Sequence, residues 1–398
     1  MRIGIDASCW LNRRGFGRYT RELVRALLAE DREHEYVLFL DEVTAGRAEG
    51  LPSTERAARV LVPTSAAATQ AAAADGHRSV ADLWRMRRAV AGWGARLDLF
   101  YFPAEYTYFP IRTPARVIVT KHDMTDRRYP ELLFPTRRSR WLWETKVRLA
   151  IRRADRVFTV SEAARRDILA GFRLRAERVR VVSDAVDPGF APVPDSPARS
   201  AVLARHGIRP GERFALYVGG ISPHKNLERL VLAYGQWRRQ QQGAAPDVRL
   251  VLVGDFEADV FYSSYPAVRA LIGASGLDAL VHLTGYVPDA DLVHLYSAAD
   301  VLVLPSLAEG FGLPALEAMA CGTPVLASSA GALPEVLGDA GVFFDPTSVD
   351  ELVGALDRVL ADREWRRTLS QKGLARAATF SWTASARAAL AGFAEAVA

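Results

Sequence analysis

The sequence predicts an α/β protein made of two consecutive doubly wound domains, and three observations support this fold class. The chain has 398 residues, enough for two domains at ~100–200 residues each. Short apolar runs alternate with longer amphipathic stretches, the pattern of parallel strands joined by crossover helices. The alternation stops in a proline-rich segment between 186 and 211 and then resumes. Ligands of such sheets bind beyond the carboxyl ends of the strands, so we expect a site in a cleft between the domains.

The first domain, predicted at 1–187, begins with a strand, because residues 2–7 form a short apolar run. Further runs predict strands at 36–40, 97–102, 116–120, 156–160 and 178–182. Helical periodicity predicts helices at 18–29, 137–153 and 162–171. The alanine-rich stretch 64–76 has no strand pattern, and we expect a mobile loop or a loose helix there.

The linker is predicted at 188–210, because its prolines are too closely spaced for either regular element. The second domain follows at 211–378. Its apolar runs predict strands at 214–218, 249–253, 281–283, 301–304 and 324–327, and helical periodicity continues from Val349 to the end of the chain.

Composition and charge exclude several classes of protein. The net charge of +5 suits an anionic ligand or a membrane surface, but its density is too low for a dedicated nucleic-acid-binding protein. Cys9 and Cys321 are the only cysteines, so we expect neither a disulfide framework nor a cysteine-based metal site. Nowhere do ~18 apolar residues follow one another, and no signal-peptide pattern precedes the first strand. We expect a cytoplasmic protein, at most peripheral to the inner face of the plasma membrane.

A glycine motif, Gly15-Phe16-Gly17, lies directly before the helix predicted from Arg18. Glycines there let backbone N–H groups approach a phosphate, and the amino terminus of the helix adds partial positive charge. Position 20 is Thr20, so the dinucleotide fingerprint G-x-G-x-x-G is incomplete. A tight turn is the simpler explanation, and a phosphate-binding loop is the alternative.

His122-Asp123 follows the strand at 116–120, where a doubly wound sheet forms its crevice. A histidine there can contact a substrate, and the neighbouring carboxylate can orient its ring. A structural histidine with satisfied hydrogen bonds is the alternative. Ser161, which follows the next strand, is predicted to cap a helix with Glu162 in its first turn.

The segment from Gly219 to Asn226 follows the first strand of the second domain and suits a diphosphate. Gly219 and Gly220 permit close approach of the backbone, and Lys225 stands beside the start of a helix. Only four of the 51 basic residues are lysines. A lysine retained in so arginine-rich a chain indicates a site that needs a compact ammonium rather than a planar guanidinium. We therefore predict that Lys225 binds phosphate.

The strongest motif runs from Glu309 through Gly310-Phe311-Gly312-Leu313-Pro314 to Glu317, beyond the strand at 301–304. The glycines open a loop, Pro314 starts a helix, and that helix carries Glu317. The two carboxylates can accept hydrogen bonds from sugar hydroxyls while the amides of the loop face a phosphate. Recognition of a polyol explains this pattern better than capping, and no third ligand has the spacing of a metal site.

Other motifs are absent or have simpler explanations. Asp289-Ala290-Asp291 matches a D-x-D metal motif, but it follows Pro288 at a helix start, where N-capping is the expected role. The chain has no G-x-x-x-x-G-K-[ST] loop, H-E-x-x-H motif or G-x-S-x-G elbow. Kinase, metalloprotease and serine-hydrolase functions therefore lose their main support, and we predict no metal site.

Residues 127–156 carry ten basic side chains against three acidic ones, with Trp141 and Trp143 among them. A basic helix with aromatic side chains can bind an anionic membrane or a lipid-linked pyrophosphate. The alternative is a solvated face whose two tryptophans turn to the core.

Taken together, the motifs resemble those of the retaining GT-B glycosyltransferases of family 4, the glycosyl transferases group 1. The resemblance spans nearly the whole chain, and the E-x7-E pattern from Glu309 to Glu317 is its most specific part. The other matching segments are Gly15 to Tyr19, His122-Asp123, Val160-Ser161-Glu162, Asp184 to Asp187, Pro223-His224-Lys225-Asn226-Leu227, Gly285-Tyr286-Val287, Pro305-Ser306 and Glu317-Ala318-Met319-Ala320. The resemblance implies two Rossmann-like domains facing a cleft, and a terminal helix at 379–398 that crosses back onto the first domain.

The resemblance also implies a nucleotide diphosphate sugar as the donor, with neither a cofactor nor a metal. Lys225 and Gly220 would lie at the diphosphate, Glu317 at the ribose, and Val287 near the base. The donor sugar and phosphate would be bound by Glu309 and the amides of Phe311, Gly312 and Leu313.

From the first domain, Gly15 and Gly17 would close over the diphosphate, and His122 would sit beside the transferred sugar. In such families the acceptor attacks from the side of the leaving group while a donor phosphate oxygen takes its proton, which retains the configuration. Lys225 and the loop amides would stabilise the developing charge of the leaving group.

Two positions depart from the family pattern. Gly220 stands where many relatives have arginine, so Lys225 would carry the diphosphate charge almost alone, helped by His224 or an arginine from elsewhere. Asp184 stands where relatives often have asparagine. The Pro-His-Lys-Asn segment is similar to that of bacterial mannosyl- and rhamnosyltransferases of surface-polysaccharide assembly. This similarity favours GDP-mannose as the donor and a glycan or lipid-linked glycan as the acceptor; a nucleotide-sugar 2-epimerase and an inactive partner subunit are the alternatives.

Overall fold

The computed structural model describes residues 1–48, 50–52, 57–65, 79–93, 96–241, 247–255 and 263–398. The chain forms two compact units. The first unit consists of Met1–Asp184 with Ser381–Ala398, and the second unit consists of Ala185–Phe380. The loop or loose helix predicted at 64–76 lies outside the described residues, apart from Thr64 and Ser65.

The first unit contains a parallel sheet of seven strands in the order β3-β2-β1-β4-β5-β6-β7. Its central strands are buried on both faces, as parallel strands covered by helices must be. The strands are β1 (Arg2–Asp6), β2 (Glu35–Asp41), β3 (Ala57–Val62), β4 (Leu99–Phe102), β5 (Arg116–Thr120), β6 (Arg156–Thr159) and β7 (Val179–Val181).

Helices connect these strands as crossovers. They are α1 (Gly15–Glu30), α2 (Glu42–Arg47), α3 (Val80–Trp93), α4 (Thr125–Arg128), α5 (Pro130–Leu133), α6 (Arg137–Arg153) and α7 (Glu162–Phe172). Ser161 caps α7, because its side chain accepts a hydrogen bond from the amide of Ala164 at 3.0 Å, and this prediction is confirmed.

The second unit contains a parallel sheet of six strands in the order β10-β9-β8-β11-β12-β13. The strands are β8 (Arg213–Val218), β9 (Val248–Val253), β10 (Val281–Gly285), β11 (Val301–Leu304), β12 (Val325–Ser328) and β13 (Gly341–Phe344). The helices of this unit are α8 (Pro197–Arg205), α9 (Leu227–Gln240), α10 (Tyr265–Ala274), α11 (Asp289–Ala298), α12 (Leu313–Ala320), α13 (Leu333–Leu337), α14 (Val349–Ala361) and α15 (Arg363–Ala377).

The last helix, α16 (Trp382–Val397), belongs to the first unit and packs against α1. Phe393 on its buried face lies 5.7 Å from the ring of Phe158 and 5.5 Å from that of Tyr101. Ser385 donates a hydrogen bond to the carbonyl of Ser183 at 2.7 Å. No helix in the described part of the chain is both long and apolar enough to span a bilayer.

The predicted fold class of two doubly wound parallel sheets is confirmed, but two strands and one helix discussed next were not predicted. β3 and β13 were missed; both are edge strands, and both contain exposed residues despite their apolar side chains. The segment predicted to be an irregular linker contains α8. Pro197 is tolerated there because it directly follows the N-cap Ser196 and occupies the first helical position, where the missing N–H would have no partner within the helix.

Each sheet reverses its strand order at one point, between β1 and β4 in the first unit and between β8 and β11 in the second. At these points the loops that follow neighbouring strands diverge and leave room for a ligand. Among the motifs singled out in the sequence, the glycine motif at Gly15 follows β1, and Lys225 and Glu309 lie on the loops after β8 and β11.

Candidate active site

In the second unit, the loops after β8 and β11 are held together by hydrogen bonds. The amide of Leu307 donates to the carbonyl of His224 at 2.8 Å. Asn226 donates from Nδ2 to the carbonyls of Pro305 and Pro346, each at 2.9 Å. Asn226 adopts a left-handed conformation with φ 62°, one that asparagine tolerates better than most residues. The loop that carries Lys225 is therefore fixed to the loop that carries Glu309.

Lys225 and Glu309, predicted separately from the sequence, contact each other. Lys225 Nζ lies 2.7 Å from Glu309 Oε1. The side chains are 22% and 13% exposed, so the pair is shielded but still open to solvent on one side. A cation and a carboxylate thus converge at the point where the sheet reverses its order.

Glu309 is also held by two residues that were given no role from the sequence: Ser306, which stands only in a matching segment, and Gly331. Ser306, fully buried, donates from Oγ to Glu309 Oε1 at 2.7 Å. Gly331 packs against the Glu309 backbone so closely that a Cβ at residue 331 would lie 2.5 Å from the Glu309 carbonyl oxygen. The amide of Ala332 donates to that same oxygen at 3.0 Å. Both the side chain and the backbone of Glu309 are therefore positioned.

The amino terminus of α12 lies directly after Glu309. Gly312 has φ +97°, a conformation that L-residues with side chains rarely adopt, and a Cβ there would lie 2.6 Å from Leu333 Cδ2. Phe311 is buried, with its ring 5.6 Å from that of Phe380. The segment from Phe311 to Leu313 thus leads into the first turn of α12, where amides and the helix dipole favour an anion.

Glu317 lies further along α12 and is almost completely buried. Tyr296 of α11 donates its hydroxyl to Glu317 Oε2 at 2.9 Å. Gly220 follows β8, and its carbonyl accepts a hydrogen bond from the Tyr217 hydroxyl at 2.6 Å. Val287 is buried beyond β10, which is separated from β8 by β9. The described contacts thus join Lys225 and Glu309 directly, whereas Glu317, Gly220 and Val287 stand at other points of the same sheet end.

In the first unit, His122 follows β5 and its ring is fixed on two sides. Its Nε2 lies 3.1 Å from the carbonyl oxygen of Pro103, which can only accept, so Nε2 carries the proton and Nδ1 the lone pair of the neutral ring. The ring of Tyr19 packs edge-on at 5.0 Å. Burial lowers the pKa of His122, and although Glu105 and Asp123 act in the opposite direction, the imidazole is neutral at pH 7.

The glycine motif lies within α1, which begins at Gly15 rather than near Arg18 as predicted. Gly17 is required by packing, since a Cβ there would lie 2.1 Å from the backbone oxygen of Asn12. Phe16 stacks on Tyr106 at 4.6 Å. Gly15 and Gly17 thus form the first turn of a helix, whose amino terminus is the part suited to a phosphate.

The structure corrects one further prediction and one of the alternatives left open by the sequence. The N-cap of α11 is Pro288, so capping by Asp289 or Asp291 was wrong; Asp291 instead pairs with His206 at 2.8 Å. On the basic helix α6, Trp143 is half-buried but Trp141 is 64% exposed, so the two tryptophans do not both turn to the core.

Among the described residues, no group of three or more His, Cys, Asp or Glu side chains is placed to hold a metal ion.

Comparison with known proteins gives matches over both halves of the chain. Residues 199–376 match the family model of glycosyl transferases group 1, and residues 13–190 match that of glycosyltransferase family 4. The chain is 32% identical over 377 residues to O-antigen chain mannosyltransferase B of Escherichia coli, a match that covers 92% of each chain. It is 34% identical over 242 residues to the serotype-specific mannosyltransferase WbdA of E. coli, covering 61% of this chain but only 29% of that protein.

Solved structures show the same fold at low sequence identity. Sucrose-phosphate synthase from Thermosynechococcus elongatus has a TM-score of 0.76 at 22% identity, covering 99% of this chain and 98% of that one. Anabaena HepE, in a complex with UDP-glucose, has a TM-score of 0.72 at 20% identity, again covering 99% and 98%. The family models, the relative matched along its length and the shared fold agree, and the chain belongs to the family 4, or group 1, glycosyltransferases of the GT-B fold.

Proposed function

We propose that this glycosyltransferase moves mannose from GDP-mannose to a glycan or lipid-linked glycan, with retention of configuration and without a metal, in bacterial surface-polysaccharide assembly. The observation that carries this proposal is the meeting of Lys225 and Glu309 at the reversal point of the second sheet. Mannose is supported by the names of relatives, since mannosyltransferase B matches along 92% of the chain.

The second unit supplies the groups that this donor needs. Lys225 offers a compact cation to the diphosphate, and the amides from Phe311 to Leu313 offer the amino terminus of α12. Glu309 accepts hydrogen bonds from hydroxyls of the sugar, and Glu317 from those of the ribose. Because residue 220 is glycine, Lys225 carries most of the diphosphate charge.

In the proposed reaction, the bond between the anomeric carbon and the diphosphate oxygen breaks as the bond to the acceptor oxygen forms on the same face of the sugar. The proton of the acceptor hydroxyl passes to an oxygen of the departing diphosphate. Charge develops on that diphosphate, and Lys225 with the α12 amides stabilises it, an electrostatic contribution that usually dominates such catalysis.

The first unit contributes separately. We assign phosphate binding to the first turn of α1 at Gly15 and Gly17, where the amino terminus of the helix carries partial positive charge. We assign to His122 the acceptance of a hydrogen bond from a substrate hydroxyl, through the lone pair on Nδ1.

The outward face of α6 supports contact with an anionic membrane. Trp141, Leu142 and Leu149 are 64%, 40% and 46% exposed. They alternate with exposed basic side chains at Arg137, Arg138, Arg140, Arg148 and Arg152. Apolar and cationic groups on one helix face bind an anionic lipid surface together, the first by burial and the second by charge.

A donor panel tests the activity. We expect transfer from radiolabelled GDP-mannose at full rate in the presence of EDTA, with little from UDP-glucose, ADP-glucose or dTDP-rhamnose, and NMR of the product should show the anomeric configuration of the donor. Inversion, a requirement for a divalent ion, or a preference for another donor would overturn the corresponding part of the proposal. A change in the configuration of the donor sugar without any acceptor would instead indicate an epimerase.

Vesicle sedimentation tests the membrane contact. We expect binding to vesicles containing phosphatidylglycerol, weakened by salt, and its loss in the double variant Trp141→Ser/Leu149→Ser. Leu232→Ser is a matched control, because Leu232 is 45% exposed on the second unit. Equal binding to neutral vesicles, or equal loss in the control, would contradict the proposed face.

A further inference from the structure

A buried charge cluster lies beside His122. Lys121 is 1% exposed, and its Nζ lies 3.2 Å from Glu105 Oε1 and 3.1 Å from Asp126 Oδ1. Glu105 and Asp126 are also buried. Burying one cation with two carboxylates costs several kcal/mol per ion unless the pairing is close. Because this cost makes buried ion clusters rare in proteins, the cluster is a candidate for a functional role.

The cluster is held in place from neighbouring elements. Trp143 of α6 donates from Nε1 to Asp126 Oδ2 at 2.7 Å. Lys146, also on α6, donates to the carbonyl of Tyr106 at 3.0 Å and lies over the ring of Trp143 at 4.1 Å. Asp126 is therefore fixed by α6, and the turn that carries Glu105 is fixed next to it.

Lys121 remains charged in this environment. Burial alone would lower its pKa, but the carboxylates of Asp126 and Glu105 outweigh burial and raise the pKa above its ordinary value. The Oε2 atom of Glu105 is buried and accepts no hydrogen bond from any residue the structure describes. The negative charge of Glu105 is therefore only partly neutralised. The cluster is thus a fixed arrangement of charges beside a titratable ring.

The charges act on His122 in opposite directions. Burial lowers the pKa of His122 most. Among the charges, Glu105 from the turn after β4 and Asp123 on the same loop raise this pKa, whereas Lys121 adds to its lowering. Tyr19 of α1 and the Pro103 carbonyl pack against the ring without adding a formal charge. Without Lys121, unneutralised carboxylates would draw a proton to Nδ1 and abolish its ability to accept a hydrogen bond.

We propose that Lys121 and Glu105 are positioning residues for His122, with Lys121 neutralising the buried carboxylates so that the imidazole stays neutral and Nδ1 remains an acceptor. The inference rests on the proposed function of His122 toward substrate. It concerns residues that act through His122, and it does not require them to touch the substrate.

The test measures the protonation of His122 directly. In protein labelled with ¹⁵N-histidine, the His122 resonances are assigned by their loss in His122→Asn and followed against pH. We expect the pKa of His122 to rise in Lys121→Met and to fall in Glu105→Gln, with the acid limb of kcat/KM moving in the same two directions. Lys121→Arg keeps the charge and should restore a value close to that of the wild type.

Lys372→Met is the matched control, because Lys372 pairs with the exposed Asp339 at 2.9 Å in the other unit. If Lys121→Met does not fold, the inference is tested by Glu105→Gln, in which the pKa of His122 should fall. An unchanged His122 pKa in the folded variants, with only their melting temperature lowered, would reduce the cluster to a structural role and overturn the inference. A wild type that uses no nucleotide sugar would refute the proposed function, yet the NMR titration would still test the charge relationship.

Discussion

Lys225 Nζ and Glu309 Oε1 are 2.7 Å apart, although the two residues are separated by 84 positions and lie on loops after different strands. The same carboxylate oxygen accepts the hydroxyl of Ser306. In the proposed site, a donor diphosphate bound to Lys225 would share Lys225 with Glu309 or displace Glu309. The ion pair would orient both groups before the donor binds, which would limit the reorganisation that binding requires.

Removing the cation should affect the leaving group most. We expect Lys225→Ala to lower kcat/KM for GDP-mannose by about 100-fold, the size of effect found when one stabilising group is removed. Lys225→Arg should retain part of the activity, since it keeps the charge but not the compact geometry. Steady-state kinetics measure this, with Lys372→Ala as the control that should stay within about twofold of the wild type. Equal losses in the two alanine variants would contradict the role of Lys225.

Ser306 should matter for the donor rather than for the fold. We expect Ser306→Ala to weaken GDP-mannose binding about tenfold, because Glu309 loses a charge-assisted hydrogen bond. Ser348→Ala is the contrasting variant: Ser348 caps α14 through the amide of Glu351 at 3.1 Å, and losing that cap costs about 1 kcal/mol of stability. Calorimetric titration should show weakened donor binding only in Ser306→Ala, and thermal melts should show the larger loss of stability in Ser348→Ala. Equal changes of affinity and of stability in the two variants would contradict a role of Ser306 in donor binding.

Gly331 and Gly276 form a matched pair. Both have a positive φ, +64° and +66°, but a Cβ would meet the Glu309 backbone only at Gly331, since nothing lies within 4 Å at Gly276. Alanine at either position should cost roughly 1 kcal/mol through backbone strain. We expect Gly331→Ala to lose donor affinity as well, because the clash displaces Glu309. Donor binding that survives in Gly331→Ala as it does in Gly276→Ala would contradict this packing.

Asp184 should make stability depend on pH. Burial raises the pKa of Asp184 to about 8, against the opposing effect of Arg18, whereas an unfolded aspartate has a pKa of about 4. Between these values the folded protein holds a proton that the unfolded chain has lost, so the contribution of Asp184 to stability falls as pH rises from about 4 to about 8. Among the described residues, none hydrogen-bonds to Asp184 Oδ1.

We therefore expect Asp184→Asn to melt above the wild type at pH 8 by a few degrees or more, about 1 kcal/mol at least, and by less at pH 5. Asp167→Asn, at an exposed position of α7, should show no such dependence. Differential scanning calorimetry at both pH values measures this difference in Tm between Asp184→Asn and the wild type. An equal difference at pH 5 and pH 8 would contradict a buried, protonated carboxyl group at Asp184.

Sequence patterns predicted the elements that are buried on both faces. β8 and β11 are continuous apolar runs, and the motifs after them carry Lys225 and Glu309. The edge strands β3 and β13 were not predicted, because their apolar runs are short and they become strands by pairing with one neighbour at the edge of the sheet. Ser306 was given no role from the sequence, although it stands in a matching segment, because the contact of its hydroxyl with Glu309 depends on how the loop folds. Gly331 was missed because it contacts Glu309 from a separate loop, and no local pattern encodes such a contact. The contacts of Asn226 were not predicted either, although the residue belongs to the Pro-His-Lys-Asn segment.

The central claim is that Lys225 and Glu309 form the binding site for GDP-mannose, and calorimetric titration tests it most directly. We predict that the wild type binds GDP-mannose more tightly than UDP-glucose, and that Lys225→Ala and Glu309→Gln each weaken GDP-mannose binding by about tenfold or more. Glu364→Gln, at an exposed position in the first turn of α15, should bind like the wild type. Unchanged affinity in both site variants, or tighter binding of UDP-glucose, would contradict the account.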